Sequence, residues 1–357
     1  MTNAPSTPPI CDGHNDVLLR MFKKGAADAA TQFIEGDGVG HLDLPRMQAG
    51  GFGGGLFAVF VPSTKGPGLN FSDMAGESYD VPLPESLSVG EALPTALQMA
   101  GILFKIEQAS GGAVTVCRTA ADIRRCLETG SVAAVLHIEG AETIDPEFRS
   151  LEVLYEAGLR SIGPVWSRPT AFAHGVPFRF PGSPDTGPGL TDLGKELVRV
   201  CNAKRIMIDL SHLNEKGFWD VAGLSAAPLI ATHSNAHVLC SSTRNLTDHQ
   251  LAAIRDSDGM VGINFATCFL RPDGQMDADT GLDIVMRHLD HLLERVGEDN
   301  VGFGSDFDGA IIPKVIGDAA GLPTLRDALR AHGADTALME KLCWRNWVGV
   351  LERTWGG

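Results

Sequence analysis

The sequence predicts an α/β chain folded as a (β/α)8 barrel of the metal-dependent hydrolase type, and three observations carry that reading. Eight short apolar runs, rich in β-branched residues, recur along the 357 residues. Continuous apolar runs of that length suit strands buried on both faces, as in a parallel sheet. Helical periodicity lies between most of them, and eightfold alternation of strand and helix is the barrel pattern. A doubly wound open sheet is the alternative, but no GxGxxG follows the first run.

In chain order the runs are 10–16 (ICDGHND), 55–61 (GLFAVFV), 132–139 (VAAVLHIE) and 161–166 (SIGPVW), then 206–212 (IMIDLSH), 228–233 (PLIATH), 260–265 (MVGINF) and 301–306 (VGFGSD). Helices are expected over 119–127, 148–157, 191–204, 248–255 and 282–296. The third of these opens on Thr191 as N-cap and repeats apolar residues at Leu193, Leu197 and Val200. Residues 62–112 read as an insertion after the second strand, a Pro/Gly/Ser-rich loop followed by a helix near 97–108. The tail 323–357 is helical in pattern and is expected to pack outside the barrel. With no repeat, linker or charge block, residues 1–357 are expected to form one domain.

Composition removes whole classes of function. Lys and Arg number 29 against 44 Asp and Glu, a net charge of −15. Sequence-independent binding to nucleic acid or to anionic membranes relies on Lys and Arg, so neither partner is expected. The start (MTNAPSTPP) has no basic segment followed by an apolar one, and the end (RTWGG) no hydrophobic tail. The longest uncharged stretch, 47–64, holds five glycines and ends near a proline, which suits a buried strand better than a membrane span. Seven cysteines form no CxxC pair and are odd in number, as expected of reduced thiols in a soluble cytoplasmic protein.

Barrels of this type carry their reactive groups at the C-terminal ends of the strands. Those positions hold His14, Asp16, Glu139, His212, His233 and Asp306, residue types that bind divalent cations or move protons. Residues two apart on a strand point the same way, so His14 and Asp16 can reach one ion together. Glu139 ends an apolar run, where an unpaired carboxylate is costly, and one carboxylate can bridge two cations. Each residue alone has an ordinary explanation: a chance pair, a salt bridge, a core histidine. Jointly, five ligand-type residues and one acid at inferred strand ends imply two zinc ions per chain bridged by Glu139. Such a pair turns a shared water into a hydroxide and polarises a carbonyl, and Asp306 would take the water's proton and deliver it to the leaving amine. Asp308 is expected to be a loop carboxylate bonded to backbone; His137, two before Glu139, points with it and could support the site, but reads first as a packed strand histidine. His288 and His291 read as surface or second-layer helix residues, and His41, His249 and His332 as loop or helix-surface residues.

Six stretches in this order carry a resemblance: DGHND (12–16), HIEG (137–140), IDLSH (208–212), THSNA (232–236), SSTRN (241–245) and GFGSDFDG (302–309). The chain resembles the membrane dipeptidase (renal dipeptidase) family of the amidohydrolase superfamily, from its first strand to the helix around Asn346. The resemblance implies a zinc metallo-dipeptidase whose substrates are dipeptides, often with a D-residue on the C-terminal side. It implies that His14 and Asp16 hold one ion, His212 and His233 the other, and Glu139 both. It also implies that Asp306 is the general acid/base, and that Arg244 binds the substrate carboxylate with its bidentate fork.

Two departures from the family pattern bear on the substrate. Trp166, in Val165-Trp166-Ser167-Arg168, stands where the family carries a histidine that steadies the scissile carbonyl oxygen. Its indole donates one N–H but carries no charge. His174 in the following loop is the candidate substitute, an ordinary loop histidine being the other reading. Ala266 stands where the family has a tyrosine, which implies a wider pocket. Hydrolysis of another small amide or an N-acyl amino acid therefore stands beside dipeptidase activity, as does a metal-binding barrel without turnover. The expected partner is a small dipeptide, and a homodimer is compatible with the sequence.

Overall fold

The computed structural model describes residues 7–25, 28–63 and 73–356, and in it every one of the eight apolar runs contains a strand. The strands are β1 (Ile10–Asn15), β2 (Phe52–Phe60), β3 (Tyr79–Val81), β4 (Val114–Val116), β5 (Val132–Glu139) and β6 (Leu159–Gly163). They continue as β7 (Phe178–Phe180), β8 (Met207–Ile208), β9 (Ile230–Ala231), β10 (Met260–Asn264) and β11 (Val301–Gly304). Eight of them pair side by side in the order β8-β6-β5-β2-β1-β11-β10-β9, all in parallel. The two ends of that order meet: Asp209, the residue after β8, forms a parallel bridge with Ile230 of β9, and Leu210 N donates to Ile230 O at 2.8 Å. The result is the (β/α)8 barrel expected from the sequence.

Burial explains the apolar runs. β5 is buried at all eight positions, since helices cover one face and the barrel interior the other. The five expected helices form as Ala120–Thr129, Arg149–Ala157, Asp192–Lys204, Asp248–Asp256 and Leu282–Val296. Thr119, Thr191 and Thr247 accept from the backbone N–H three residues on, which satisfies one orphan donor of each helix start. Three short strands lie outside the eight. β4 pairs in parallel alongside the start of β5, and β3 pairs antiparallel with β7.

Two details differ from the sequence reading. The insertion helix is Val89–Ala109, because Ser88 and Glu91 form a capping box upstream of Pro94, a residue that reads as a helix start or break. The C-terminal tail packs outside the barrel as expected, but it also closes the barrel floor, which the sequence reading did not foresee. Its helix Asn346–Trp355 sends Trp347 under the barrel floor, where the indole N–H donates to Phe303 O at 2.9 Å. Trp347 packs there with Cys11, Leu56, Val135, Met207 and Met260, in room left by Gly13 and Gly302. Residues 1–6, residues 64–72 of the insertion loop and Gly357 lie outside the described residues. Among the described residues no helix is long and apolar enough to cross a membrane.

Candidate active site

The strand ends bring His14, Asp16, Glu139, His212, His233 and Asp306 into one buried cluster. Glu139, the last residue of β5, divides its two oxygens. Oε2 lies 3.7 Å from His14 Nε2, while Oε1 lies 3.1 Å from His212 Nε2 and 3.5 Å from His233 Nε2. Asp16 Oδ2 reaches His14 Nε2 at 3.3 Å, and the Nε2 atoms of His212 and His233 are 3.1 Å apart. His14 and His233 stack with ring centroids 3.8 Å apart. His212 and Asp306 hold left-handed backbone, with φ of 67° and 60°, a conformation that non-glycine residues adopt mostly where the surroundings impose it.

Supporting contacts aim these groups. Ser167 Oγ meets His212 Nδ1 at 2.9 Å, and Thr232 Oγ1 meets His233 Nδ1 at 2.8 Å. Asn264 donates to Asp306 Oδ2. Below them Asp12 accepts from Ser305 N and Oγ, which ties β1 to the loop after β11. Asp308 accepts from His41 N and Arg20 Nε, so it bonds backbone as expected but also a side chain.

Electrostatics fit a cation. Burial opposes charge on His14, but Glu139, Asp16 and Asp306 outweigh it and lift the imidazole to about 10. Burial, with Arg244 and His14 adding to it, holds His212 and His233 well below the usual imidazole range, so both are neutral ligand forms. Burial also pushes Glu139 well above the usual carboxylate range and Asp306 upward, His14 partly offsetting both. Nε2 of two neutral imidazoles and a carboxylate oxygen crowd within 3.1–3.5 Å, away from water. A shared positive charge is what such a donor set lacks, and the residue types suit zinc and similar metals.

The cluster forms the floor of a cavity of about 390 Å³. Asp16, Glu139, His212 and Asp306 line it, and Phe60, Trp166, Phe178 and Phe269 form an aromatic wall. Trp166 stands 4.9 Å from Phe60 and 6.0 Å from His212 between ring centroids. Ala266 also lines this cavity, where a larger residue would narrow it. Arg244 is buried behind the floor. Its Nη2 donates to His233 O at 3.0 Å, its Nη1 to Ser234 Oγ at 3.3 Å, and its Nε has no partner. His174 is not brought to this cavity. It lines a separate depression with Asp80, Pro82 and Arg179.

Several residues at the site escaped the sequence reading. Asp12 lies two before His14, and the same period-two spacing that paired His14 with Asp16 points to it. His137, by contrast, is the packed strand histidine expected two before Glu139: it is fully buried, with Nδ1 2.7 Å from Ser161 Oγ and its ring edge-on to His14 at 5.7 Å. Asp209, Thr232, Asn264 and Ser167 carry no signal beyond lying inside or beside the strand-end stretches. His288 takes the second-layer place of the two it was given: it is buried, accepting from Ala236 N and donating to Leu270 O.

Comparison with known proteins points one way. The profile of the membrane dipeptidases (peptidase family M19) matches residues 4–355. An uncharacterized protein in the pqqA 5′ region of Klebsiella pneumoniae is 52% identical over 266 residues, 74% of this chain and 98% of that protein. Another, in the PQQ-III 3′ region of Acinetobacter calcoaceticus, is 43% identical over 301 residues, 82% of this chain and 91% of that protein. A metallo peptidase from Rhodobacter sphaeroides, solved with a phosphinate mimic of the dipeptide L-Ala-D-Ala, is 57% identical. It superposes with a TM-score of 0.95 over 98% of this chain and 100% of its own.

Proposed function

The chain belongs to the membrane dipeptidase family, peptidase family M19, and is a metallo-dipeptidase; from that premise we propose that it cleaves dipeptides with a D-residue on the C-terminal side, using two zinc ions bridged by Glu139. The observation that carries this reading is the division of the Glu139 carboxylate, one oxygen toward His14 and the other toward His212 and His233. His14 and Asp16 would hold one ion, and His212 and His233 the other. A pair of divalent ions bound there lowers the pKa of a shared water and polarises a carbonyl.

The chain's own residues do the rest. Asp306 takes a proton from the attacking water and returns it to the leaving amine, and Asn264 fixes which way its carboxylate faces. Arg244 uses two of its five N–H donors inside the protein and keeps others for the substrate carboxylate. The aromatic wall excludes water, and Trp166 offers its indole N–H where a charged histidine would otherwise steady the carbonyl oxygen. A cavity of about 390 Å³ is of the right size for a dipeptide. The mimic bound by the Rhodobacter sphaeroides relative supports the stereochemistry.

Elemental analysis of protein purified without chelators, followed by a panel of L-Xaa-D-Xaa dipeptides, tests the proposal. Two zinc equivalents with dipeptide turnover are expected. Protein that neither carries nor takes up zinc overturns the metal site, and turnover confined to N-acyl amino acids overturns the substrate.

A further inference from the structure

Asp209 and Thr232 touch none of the proposed ions, yet a single chain of hydrogen bonds links them to one ligand. Thr232 Oγ1 lies 2.6 Å from Asp209 Oδ2 and 2.8 Å from His233 Nδ1. A threonine hydroxyl has one proton to donate. The carboxylate oxygen at 2.6 Å receives it, so toward His233 the hydroxyl oxygen is an acceptor. His233 must then carry its proton on Nδ1. Its Nε2 is left with a free lone pair, facing Glu139 Oε1 and His212 Nε2.

The far end of the chain is anchored. Asp209 Oδ1 accepts from the backbone N–H of Ser211 and of Thr232, each at 2.9 Å, and Asp209 N donates to Ile162 O at 2.9 Å. Both side chains are buried. The other two histidines have no such arrangement. His212 Nδ1 meets Ser167 Oγ, whose proton can point either way, and His14 Nδ1 has no partner.

We propose that Asp209 and Thr232 are positioning residues that lock His233 in its Nδ1–H tautomer, so that Nε2 is free for the ion shared with His212. The inference rests on the two-ion reading above. It differs from a purely structural role, in which Asp209 only closes the seam between β8 and β9.

Asp209→Asn separates the two roles. The seam needs an oxygen at the Oδ1 position to accept from two backbone N–H groups, so the amide NH₂ falls at the Oδ2 position. There it donates to Thr232 Oγ1, the hydroxyl turns its proton toward His233 Nδ1, and the histidine is driven to the Nε2–H tautomer. Zinc titration of metal-free protein by calorimetry, alongside thermal unfolding of the same samples, reads both effects. Asp209→Asn is expected to keep the metal-free melting temperature near wild type, whereas Thr232→Val, which leaves Asp209 Oδ2 and His233 Nδ1 without the hydroxyl, should lower it modestly. Each should weaken one of two zinc equivalents by roughly 10–100-fold, the usual cost of losing a group that orients a ligand. Thr232→Ser, which retains the hydroxyl, should restore it.

Imidazole 15N spectra of the metal-free protein give a second reading that does not depend on zinc. They should show Nδ1–H for His233 in wild type and Thr232→Ser, and Nε2–H in Asp209→Asn. Wild-type affinity for both ions in Asp209→Asn and Thr232→Val, or an unchanged tautomer, overturns the lock while leaving the two-ion site standing. Wild-type protein that binds fewer than two ions removes the site itself.

Discussion

Asn264 donates its side-chain N–H to Oδ2 of Asp306 at 3.0 Å; the two lie 42 positions apart, Asn264 at the end of β10 and Asp306 just past the end of the neighbouring β11. Asp306 N also donates to His14 O at 3.1 Å, so carboxylate and backbone are both held beside the cluster of strand-end side chains. Asp306→Asn preserves this geometry, because asparagine keeps an oxygen for Asn264 and tolerates the left-handed φ of 60°. What it loses is the ability to accept and return a proton. Turnover should fall by roughly 10²–10⁴-fold, the usual worth of a general acid/base, with metal content unchanged. Normal turnover in this variant would sink the assignment.

Three glycines from three strands crowd onto one carbonyl. A Cβ at Gly304 would stand 1.9 Å from Thr232 O, one at Gly262 2.0 Å, and one at Gly13 2.3 Å. The obstacle is backbone, which cannot swing aside. Gly304→Ala should therefore cost on the order of 1–3 kcal/mol in stability, read as a lower unfolding midpoint in urea. Gly309 offers a contrast. A Cβ there would meet the side-chain oxygens Oδ2 of Asp16 at 2.1 Å and Oδ1 of Asp306 at 2.4 Å. Those carboxylates can turn away, so Gly309→Ala should keep the stability of the fold and lose zinc affinity and turnover. A Gly309→Ala protein with full metal content and activity contradicts the placement of both carboxylates.

These relationships mark where the sequence was legible. The barrel showed itself because strands buried on both faces must be continuously apolar, as β5 is, and because barrel chemistry collects at strand ends, where Glu139 and Asp306 stand. Partners that meet only through closure left no trace. Nothing near Asn264 announces Asp306, and nothing near Asp209 announces that Thr232 will stand between it and His233. His288 stayed open between surface and second layer because a polar residue in an amphipathic helix usually reads as exposed, while its place between Val285 and Leu289 is on the buried face. Trp347 misled because a regular amphipathic tail says which face is apolar but not what it covers.

His288 gives the protein an acid-sensitive contact. Burial holds its imidazole down to about 4 against the usual 6.5, and Ala236 N–H already occupies the Nδ1 lone pair. Protonation is therefore easier in the unfolded chain. Above pH 6.5 the contact contributes fully. As pH falls from 6.5 toward 4 the unfolded state gains a proton that the folded state refuses, and stability is lost by an amount on the order of 3 kcal/mol. Urea unfolding of wild type and His288→Gln at pH 8 and pH 5 should show the advantage of wild type shrinking at the lower pH. A gap that stays constant removes His288 from the acid response.

Arg244 has two duties that kinetics can separate. Its guanidinium supports the His233 segment from behind, through Nη2 on the carbonyl of His233, and lies over the Phe269 ring at 5.3 Å. It is also the charged donor proposed for the substrate's carboxylate. Truncation to alanine removes both, but the two losses fall on different constants. A lost carboxylate contact is worth about 1.5–3 kcal/mol, which should appear as a rise in KM of roughly 10–100-fold for dipeptides with a free C-terminus. Dipeptide amides never made that contact, so their KM should hardly move. A disturbed His233 would instead lower zinc content and kcat for both substrate types. Parallel kinetics on the free and amidated dipeptides, with zinc measured in each preparation, distinguish the two. Equal losses on both would assign Arg244 to holding His233 and leave the substrate carboxylate to another group.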